Sequence, residues 1–556
     1  EILMNKDLIK YLLKLLIPYK IDIIVIFFIL IICSLFNLIL PIFSKNIMDK
    51  GFIGGNYGLL IKLVLGMILI NIINILLNLF KEKKRIEIKY KIEYKLKKQA
   101  FNHITNLKMK YFETSNSTEI LNNIETDIGN ISSISDENLI FVLTQIFNII
   151  GGLIGLIIIN FKLTLMVILF IPLKYFLTTY LSKRATSITN KIILSFQDYS
   201  KFFGDTIDGI REIKIFSIYN YKEKQFLEKV NETINQNKRL EFNSLLNFSC
   251  NDILMNILIL MLYIIGGNLV FNLNLSIGSV FAFITYSAYV TAPISAIINI
   301  KYYLSRIIPS AERYNQFLKL EEEDTKLNIN EQIKGNKIKF ENVSLGYNNE
   351  ILVENINFEL NSKEKIAIIG KNGSGKTTLI KTLLRFYDNI SGNIKLDDIN
   401  IENINLLQYR KLFSVVSQDV YLFNDNIKNN ICLYKDISED LLNQIIIDSN
   451  LEDVIRQYGL KYIVGDNGCM LSGGQKQKIA LARALVNDTP IIILDEATSN
   501  VDEIGEKYIN NLLETKLKDK IVIVITHKFD NLNNFNKIIE IIDNKVYIKY
   551  IKNVLC

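Results

Sequence analysis

Cysteine is scarce in this chain. Five of the 556 residues are cysteine (Cys33, Cys250, Cys432, Cys469 and Cys556), and no two stand in a CxxC spacing. That absence argues against a disulfide framework or a zinc site, and it suits a reducing cytosol for whatever part of the chain is soluble. Histidine is scarcer still, with His103 and His527 alone. No small-residue cleavage site precedes a mature domain, so a secretory signal is not expected. The chain begins with Glu1 rather than Met, which leaves room for a further N-terminal domain such as a peptidase.

Hydrophobic residues make up 49% of the chain, close to the soluble average, so their placement carries the information. Long apolar runs crowd the chain up to about Ser310, and charged and apolar stretches alternate after it. The net charge of +7 is equally uneven, with Lys81, Lys83, Lys84, Arg85, Lys89, Lys91, Lys95, Lys97 and Lys98 in one block. Such a block can neutralise nucleic-acid phosphates. Its position beside an apolar run favours the positive-inside rule of membrane proteins instead, so the expected partner is a lipid bilayer and not nucleic acid. Heavy use of Ile, Lys and Asn fits AT-rich codons and a low-GC bacterium.

Crossing about 30 Å of hydrocarbon takes about 20 helical residues. Six segments qualify: about Ile21–Leu40, ended by Pro41, then Leu59–Phe80, Asn138–Ile159, Phe161–Leu181, Asp252–Phe271 and Ile277–Ile300. The links after the first, third and fifth, the last two at Asn160 and Asn272–Ser276, read as short and nearly uncharged, whereas those after the second and fourth are long and Lys-rich. This alternation places both termini and the long loops in the cytosol. Residues 1–20 interleave Lys6, Lys10 and Lys14 with Leu8, Ile9, Leu12, Leu13 and Leu16, as an interfacial amphipathic helix does. The loops 81–137 and 182–251 read as helical extensions that turn back at Thr118–Ile120 and Gly209–Lys214, with plain exposed loops as the alternative. Lys62, Lys174, Asn71, Asn74, Asn148 and Asn299 lie inside apolar runs, where they line a polar path or join helices by hydrogen bonds. The expected domains are a membrane domain over 21–308, a solvated acidic linker over 309–335 and a soluble domain over 336–556.

The soluble part carries the chemistry. Ile366–Ile369 is a short β-prone run ended by Gly370-Lys371-Asn372-Gly373-Ser374-Gly375-Lys376-Thr377, with a helix-prone stretch from Thr378. This is a P-loop in its required strand–loop–helix context. Its glycines let backbone N–H groups of Gly370, Asn372, Gly373, Ser374 and Gly375 wrap phosphates at a helix N-terminus. Lys376 reaches the β- and γ-phosphates and the Thr377 hydroxyl binds Mg²⁺; Thr378 follows within the same turn. A second strand, Ile491–Leu494, ends in Asp495-Glu496. A carboxylate there is the second Mg²⁺ ligand, which suits Asp495, and Glu496 is placed to polarise the attacking water.

Between the two strands lies Leu471-Ser472-Gly473-Gly474-Gln475 ahead of a helix, a run that resembles the signature motif of ATP-binding-cassette (ABC) proteins. Tyr347 then matches the aromatic that stacks on adenine, Gln418 the Q-loop residue near the Mg²⁺, Asp502 in Ser499–Asp502 the D-loop, and His527 the switch histidine. Val464–Gly468 resembles the X-loop, with Asp466 where Glu is usual, and the D-loop carries Asn500-Val501 where Ala-Leu is commoner. His103 has no comparable context and reads as structural. With six spans ahead of it, the chain resembles a bacterial type IV, B-family-like ABC exporter half-transporter. The fold so implied is a six-helix transmembrane domain followed by an α/β P-loop nucleotide-binding domain, with ATP and Mg²⁺ as cofactors. The resemblance also implies a homodimer in the cytoplasmic membrane, cassettes facing the cytosol. In it Ser472 and Gly474 of one chain contact the γ-phosphate held by the other, and closure drives a substrate outward by alternating access. Peptide, lipid and drug-like substrates all remain open. A cassette protein acting as a channel or regulator is the competing reading; intact Glu496 and His527 favour a pump.

Overall fold

The computed structural model describes residues 11–12, 14–114, 117–324, 333–347, 350–495, 511–526 and 535–551. They fall into two units: Glu1–Thr105 with Ser117–Leu320, and Asn106–Asn116 with Glu321–Cys556.

Among the described residues, six helices are long and apolar enough to cross a membrane. Helices α1 (Lys20–Asn46), α2 (Tyr57–Asn106), α5 (Glu137–Ile159), α6 (Phe161–Asp208) and α8 (Tyr219–Phe271) supply five. The short α3 (Met109–Thr114) and α7 (Ile210–Phe216), and α4 (Ser117–Ser132), lie between them. The sixth span is divided into α9 (Ile277–Thr291) and α10 (Pro293–Phe317) because Pro293 has no N–H to continue the ladder. At 1.5 Å per residue, the 50, 48 and 53 residues of α2, α6 and α8 measure more than twice the hydrocarbon thickness of about 30 Å. The Lys-rich loops are therefore helical extensions, as expected.

Three details depart from the sequence reading. The first span does not stop at Pro41, which lies inside α1; helix continues because an apolar setting offers freed backbone groups no better partner. The first turn-back is α3, upstream of Thr118–Ile120, whereas α7 coincides with the second. Helix α10 runs on to Phe317, past the expected start of the linker at 309; Glu321, Glu322 and Asp324 are exposed as expected, while Glu323 is half-buried in contacts described below.

The links on the other side are capped locally. Asn160 leaves helical geometry and its side chain accepts from Leu163 N at 3.0 Å, ending α5 and starting α6 in one residue. Asp49, past the end of α1, accepts from Ser276 Oγ at 2.5 Å and Gly278 N at 2.8 Å, tying span one to the start of span six. A Cβ on Gly278 would meet the Asp49 carboxyl at 2.8 Å. On the extensions, buried Asp127 pairs with Arg313, Tyr314 donates to Leu96 O at 2.8 Å, and His103 is bonded to Phe317 O at 2.8 Å. His103 is structural. Within the spans, Asn74 donates to Asn37 at 2.9 Å, a helix–helix bond of the expected kind. Lys174 is buried and carries no ion pair among the described residues.

The second unit is built on a ten-stranded sheet in the order β5-β4-β1-β2-β10-β9-β3-β8-β7-β6. Its strands are β1 (Lys337–Tyr347), β2 (Glu350–Asn361), β3 (Lys365–Gly370), β4 (Ser391–Leu396), β5 (Ile399–Asn400), β6 (Phe413–Val416), β7 (Ile491–Asp495), β8 (Ile521–Ile525), β9 (Lys537–Ile542) and β10 (Lys545–Tyr550). β6, β7, β8, β3 and β9 pair in parallel, whereas β1, β2, β4 and β5 form an antiparallel flank. β7 and β8 are buried at every residue, as continuous Ile/Val runs covered on both faces must be. The entry is fixed by Asp397, whose carboxylate accepts from the backbone N–H groups of Lys334, Gly335, Asn336 and Lys337 at 2.8–2.9 Å.

Candidate functional site

Ligands of open parallel sheets sit beyond the C-terminal ends of the strands, and register brings the expected residues to one such edge. Ile368 of β3 and Asp495 of β7 both pair with Ile525 of β8. Gly370 therefore ends β3 two residues beyond the level of Asp495. Val416 of β6 pairs with Leu494, so Gln418 leaves the sheet at this edge beside Asp495. Asp495 is buried and Gln418 is exposed.

The loop from Gly370 wraps into helix α11 (Lys376–Leu383). Gly373 and Gly375 take φ of +79° and +99°, which L side chains rarely adopt. A Cβ at Gly375 would also lie 2.6 Å from Val353 Cγ2. Gly375→Ala is therefore expected to cost about 1–3 kcal/mol of stability and to weaken nucleotide binding, measurable as a lower Tm and a raised Kd; an unchanged Tm would contradict the left-handed geometry. Lys376 is buried, and its Nζ donates to Gly370 O at 2.8 Å and Lys371 O at 3.0 Å, crossing the loop it would need to span to reach a phosphate. Ser374 Oγ is buried and has no hydrogen-bond partner among the described residues. An orphaned hydroxyl inside a glycine cradle, over a buried ammonium, fits a triphosphate. Thr377 is exposed at the first turn of α11 and Thr378 is buried. The Thr378 hydroxyl lies 3.0 Å from the hydroxyl of Tyr347, which ends β1. For Mg²⁺, Thr377, Asp495 and Gln418 offer a hydroxyl, a carboxylate and an amide carbonyl oxygen, and such hard oxygen donors suit that ion.

The Leu471–Gln475 run forms a helix start. Ser472 caps helix α12 (Gly473–Val486), accepting from Gln475 N at 3.3 Å while Gln475 Oε1 accepts from Ser472 N at 2.9 Å. This capping box leaves the exposed Gly473 and the half-buried Gly474 in the first turn, where the helix dipole favours an anion. Leu471 is buried beneath them. Gln475 is thus a capping partner, a role its S-x-x-Q spacing encodes. One turn further, Gln477 is buried, and neither end of its amide has a partner among the described residues; no local pattern in the sequence signals it. Asp466 accepts from Asn424 Nδ2 at 2.7 Å. Glu496, Asp502 and His527 lie outside the described residues.

The segment carrying α3 belongs to this unit, and sequence reasoning did not anticipate its contacts. Leu107 bridges Glu322 in antiparallel fashion, and Glu323 N donates to Asn106 O at 2.7 Å. Arg410 grips the Glu323 carboxylate with both arms at 2.7 and 2.8 Å and stacks over Phe386 at 4.6 Å. Lys108 pairs with Glu321 at 3.0 Å, which holds the Glu321 carboxyl below its ordinary range. On α3, Glu113 receives Lys381 Nζ at 2.7 Å and the hydroxyl of Tyr387.

A protein-family model described as the ABC transporter transmembrane region matches residues 23–294, and one described as ABC transporter matches 353–499. The ATP-dependent lipid A-core flippase of Nitrosococcus oceani is 31% identical over 459 residues, covering 80% of this chain and 75% of that protein. Its counterpart in Legionella pneumophila (strain Paris) is 31% identical over 452 residues, covering 80% and 76%. The solved structure of a bacterial Atm1-family ABC exporter with ATP bound aligns at a TM-score of 0.77 and 21% identity, over 95% of this chain and 94% of that one. At that identity the likeness establishes the fold. Six apolar helices, a P-loop cassette and these relatives converge: this multi-pass membrane ATPase belongs to the ABC transporter family.

Proposed function

We propose that the chain is one half of a homodimeric exporter that uses ATP to move a lipid-like amphiphile out of the cytoplasmic leaflet. The observation that carries the reading is the meeting of a glycine cradle, a buried lysine and a buried strand-end aspartate on one sheet edge, in a chain with six spans. The relatives named as lipid A-core flippases direct the substrate choice toward lipid.

In this reading Lys376 turns from the loop carbonyls to the β- and γ-phosphates, and Ser374 and the loop amides take the remaining phosphate oxygens. Thr377, Asp495 and Gln418 would hold Mg²⁺, which would supply positive charge against the charge that develops in phosphoryl transfer. Glu496 accepts the proton of the attacking water, His527 orients the γ-phosphate, and Tyr347 stacks on adenine. The first turn of α12, with Ser472 and Gly474, faces the γ-phosphate bound by the second chain, beside Asp502. A phosphate bridging two chains binds the closed dimer better than the open one, and its removal reverses that preference. One chain supplies both halves of each site, so twofold symmetry closes it. Closure reaches the spans through the helical extensions and drives alternating access, with the cassettes in the cytosol.

The test is Mg²⁺-dependent ATP hydrolysis by the purified chain alone in lipid bilayers. Turnover that rises with added lipid amphiphile is expected. A folded, ATP-binding chain that never turns over would contradict the homodimer.

A further inference from the structure

Leu163, Val167, Lys174, Thr178 and Leu181 are buried along one stripe of span four, and at Lys174 that stripe carries a charge. Two layers of side chains locate it. In the first, Asn251 Oδ1 of α8 accepts from Thr178 Oγ1 of α6 and from Ser295 Oγ of α10, each at 3.4 Å, so one amide joins spans four, five and six. One helical turn farther into the membrane, on the same faces, stand Lys174, Met255 and Thr291. Thr291 Oγ1 lies 3.0 Å from Met255 Sδ and ties this second layer. Beyond it the same three spans are packed by Val167, Leu258, Leu262 and Val290. The bundle thus changes from apolar to polar at the level of Lys174, beside the break at Pro293. All these residues belong to one unit.

The protein does not answer this charge. Lys174 is 5% exposed and has no hydrogen bond or ion pair among the described residues. Spans three, four and six contain no Asp or Glu, and Asp252 of span five is exposed at its first residue. As an ammonium the side chain lacks a counter-ion, and as an amine it lacks a hydrogen-bond partner; either form is costly to keep from water. Nor does it sit at the membrane surface. Leu181, where the span ends, is seven residues on, about 10 Å along the helix. A buried, unmatched cation at that depth marks a functional polar site.

We propose that Lys174 binds the anionic headgroup of a lipid, so that the amphiphiles this chain moves carry a phosphate or a carboxylate and uncharged ones are poor substrates. This rests on the export reading above and adds the substrate's charge to it. An oxyanion reaching Lys174 converts a desolvated ammonium into a charge-assisted pair, whereas a sugar headgroup leaves it unmatched. The two bonds to Asn251 are at the weak end of the hydrogen-bond range, so the layer between Lys174 and the nearer end of the span parts at little cost.

The experiment compares two lipids with the same labelled acyl chain, phosphatidylglycerol and the uncharged monoglucosyl-diacylglycerol, on the full chain. Binding is measured by fluorescence anisotropy in detergent micelles, and ATP-driven crossing in phosphatidylcholine proteoliposomes. The wild type is expected to bind phosphatidylglycerol about tenfold or more tightly than the glycolipid, the factor one charge-assisted contact carries. Lys174→Gln is expected to erase that preference by weakening phosphatidylglycerol alone, the unchanged glycolipid Kd reporting an intact fold, and Lys174→Arg to keep it. Excess inorganic phosphate is expected not to compete, since it has no acyl chain to bury. Competition by phosphate that vanishes in Lys174→Gln would make the ligand a free anion and overturn the lipid assignment. A preference that survives in Lys174→Gln, or equal weakening of both lipids as a purely structural lysine gives, overturns the proposal. Lys174-dependent binding with no ATP-driven crossing of either lipid would leave the lipid site standing and remove the export reading instead.

Discussion

Glu496→Gln should bind ATP about as tightly as the wild type and hydrolyse it roughly 10²–10⁴-fold more slowly, the usual cost of losing a general base. The amide keeps the size and the polarity of the side chain but cannot take a proton. The strand before it ends at the candidate site: β7 is buried to its last residue, and Asp495 ends it level with Ile368 and Ile525, on the edge where the P-loop begins. Glu496 follows Asp495 directly in the sequence. Because the γ-phosphate persists, the variant should accumulate as a closed dimer under Mg²⁺-ATP. Turnover and dimer population measured on one preparation decide it; wild-type turnover would rule Glu496 out as the base.

Lys376→Ala should raise the Kd for ATP by about 10²–10⁴-fold. Two charge-assisted hydrogen bonds to phosphate are worth about 1.5–3 kcal/mol each, and each 1.4 kcal/mol is tenfold in affinity. The ammonium is buried, and its donors are presently spent on Gly370 O and Lys371 O, so it exchanges neutral carbonyls for an anion when ATP arrives. The alanine also loses those two loop ties, and a modest drop in Tm accompanies the affinity loss. Calorimetric titration of the folded variant measures the effect. Undiminished affinity would contradict the phosphate-binding role.

Local pattern made most of this protein legible. Six apolar runs, the Gly370–Thr377 spacing and the Ile/Val strands at 366–369 and 491–494 each encode structure over fewer than about 25 neighbouring residues, where hydropathy and turn chemistry act directly. The failures share a different cause. Pro41 reads as a stop because proline breaks helices in water, and the membrane setting removes that penalty's usual outlet. Glu323 reads as solvated like its acidic neighbours, which are exposed; the Arg410 fork that half-buries it is 87 residues away. The Glu113 pairings with Lys381 and Tyr387 span 268 and 274 residues, and no single-sequence signal reaches across such a distance. Gln475 is the opposite case. Its capping box with Ser472 is encoded locally in the S-x-x-Q spacing.

The most direct test of ATP-driven lipid export uses proteoliposomes containing only this chain, with a fluorescent headgroup-labelled phospholipid in the leaflet facing the cassettes. Loss of label from that leaflet is followed by a membrane-impermeant quencher. The account predicts that Mg²⁺-ATP speeds the crossing several-fold, and that Glu496→Gln and Lys376→Ala do not support it. Crossing equally fast without ATP, or an ATP-gated ionic current with no lipid movement, would contradict it.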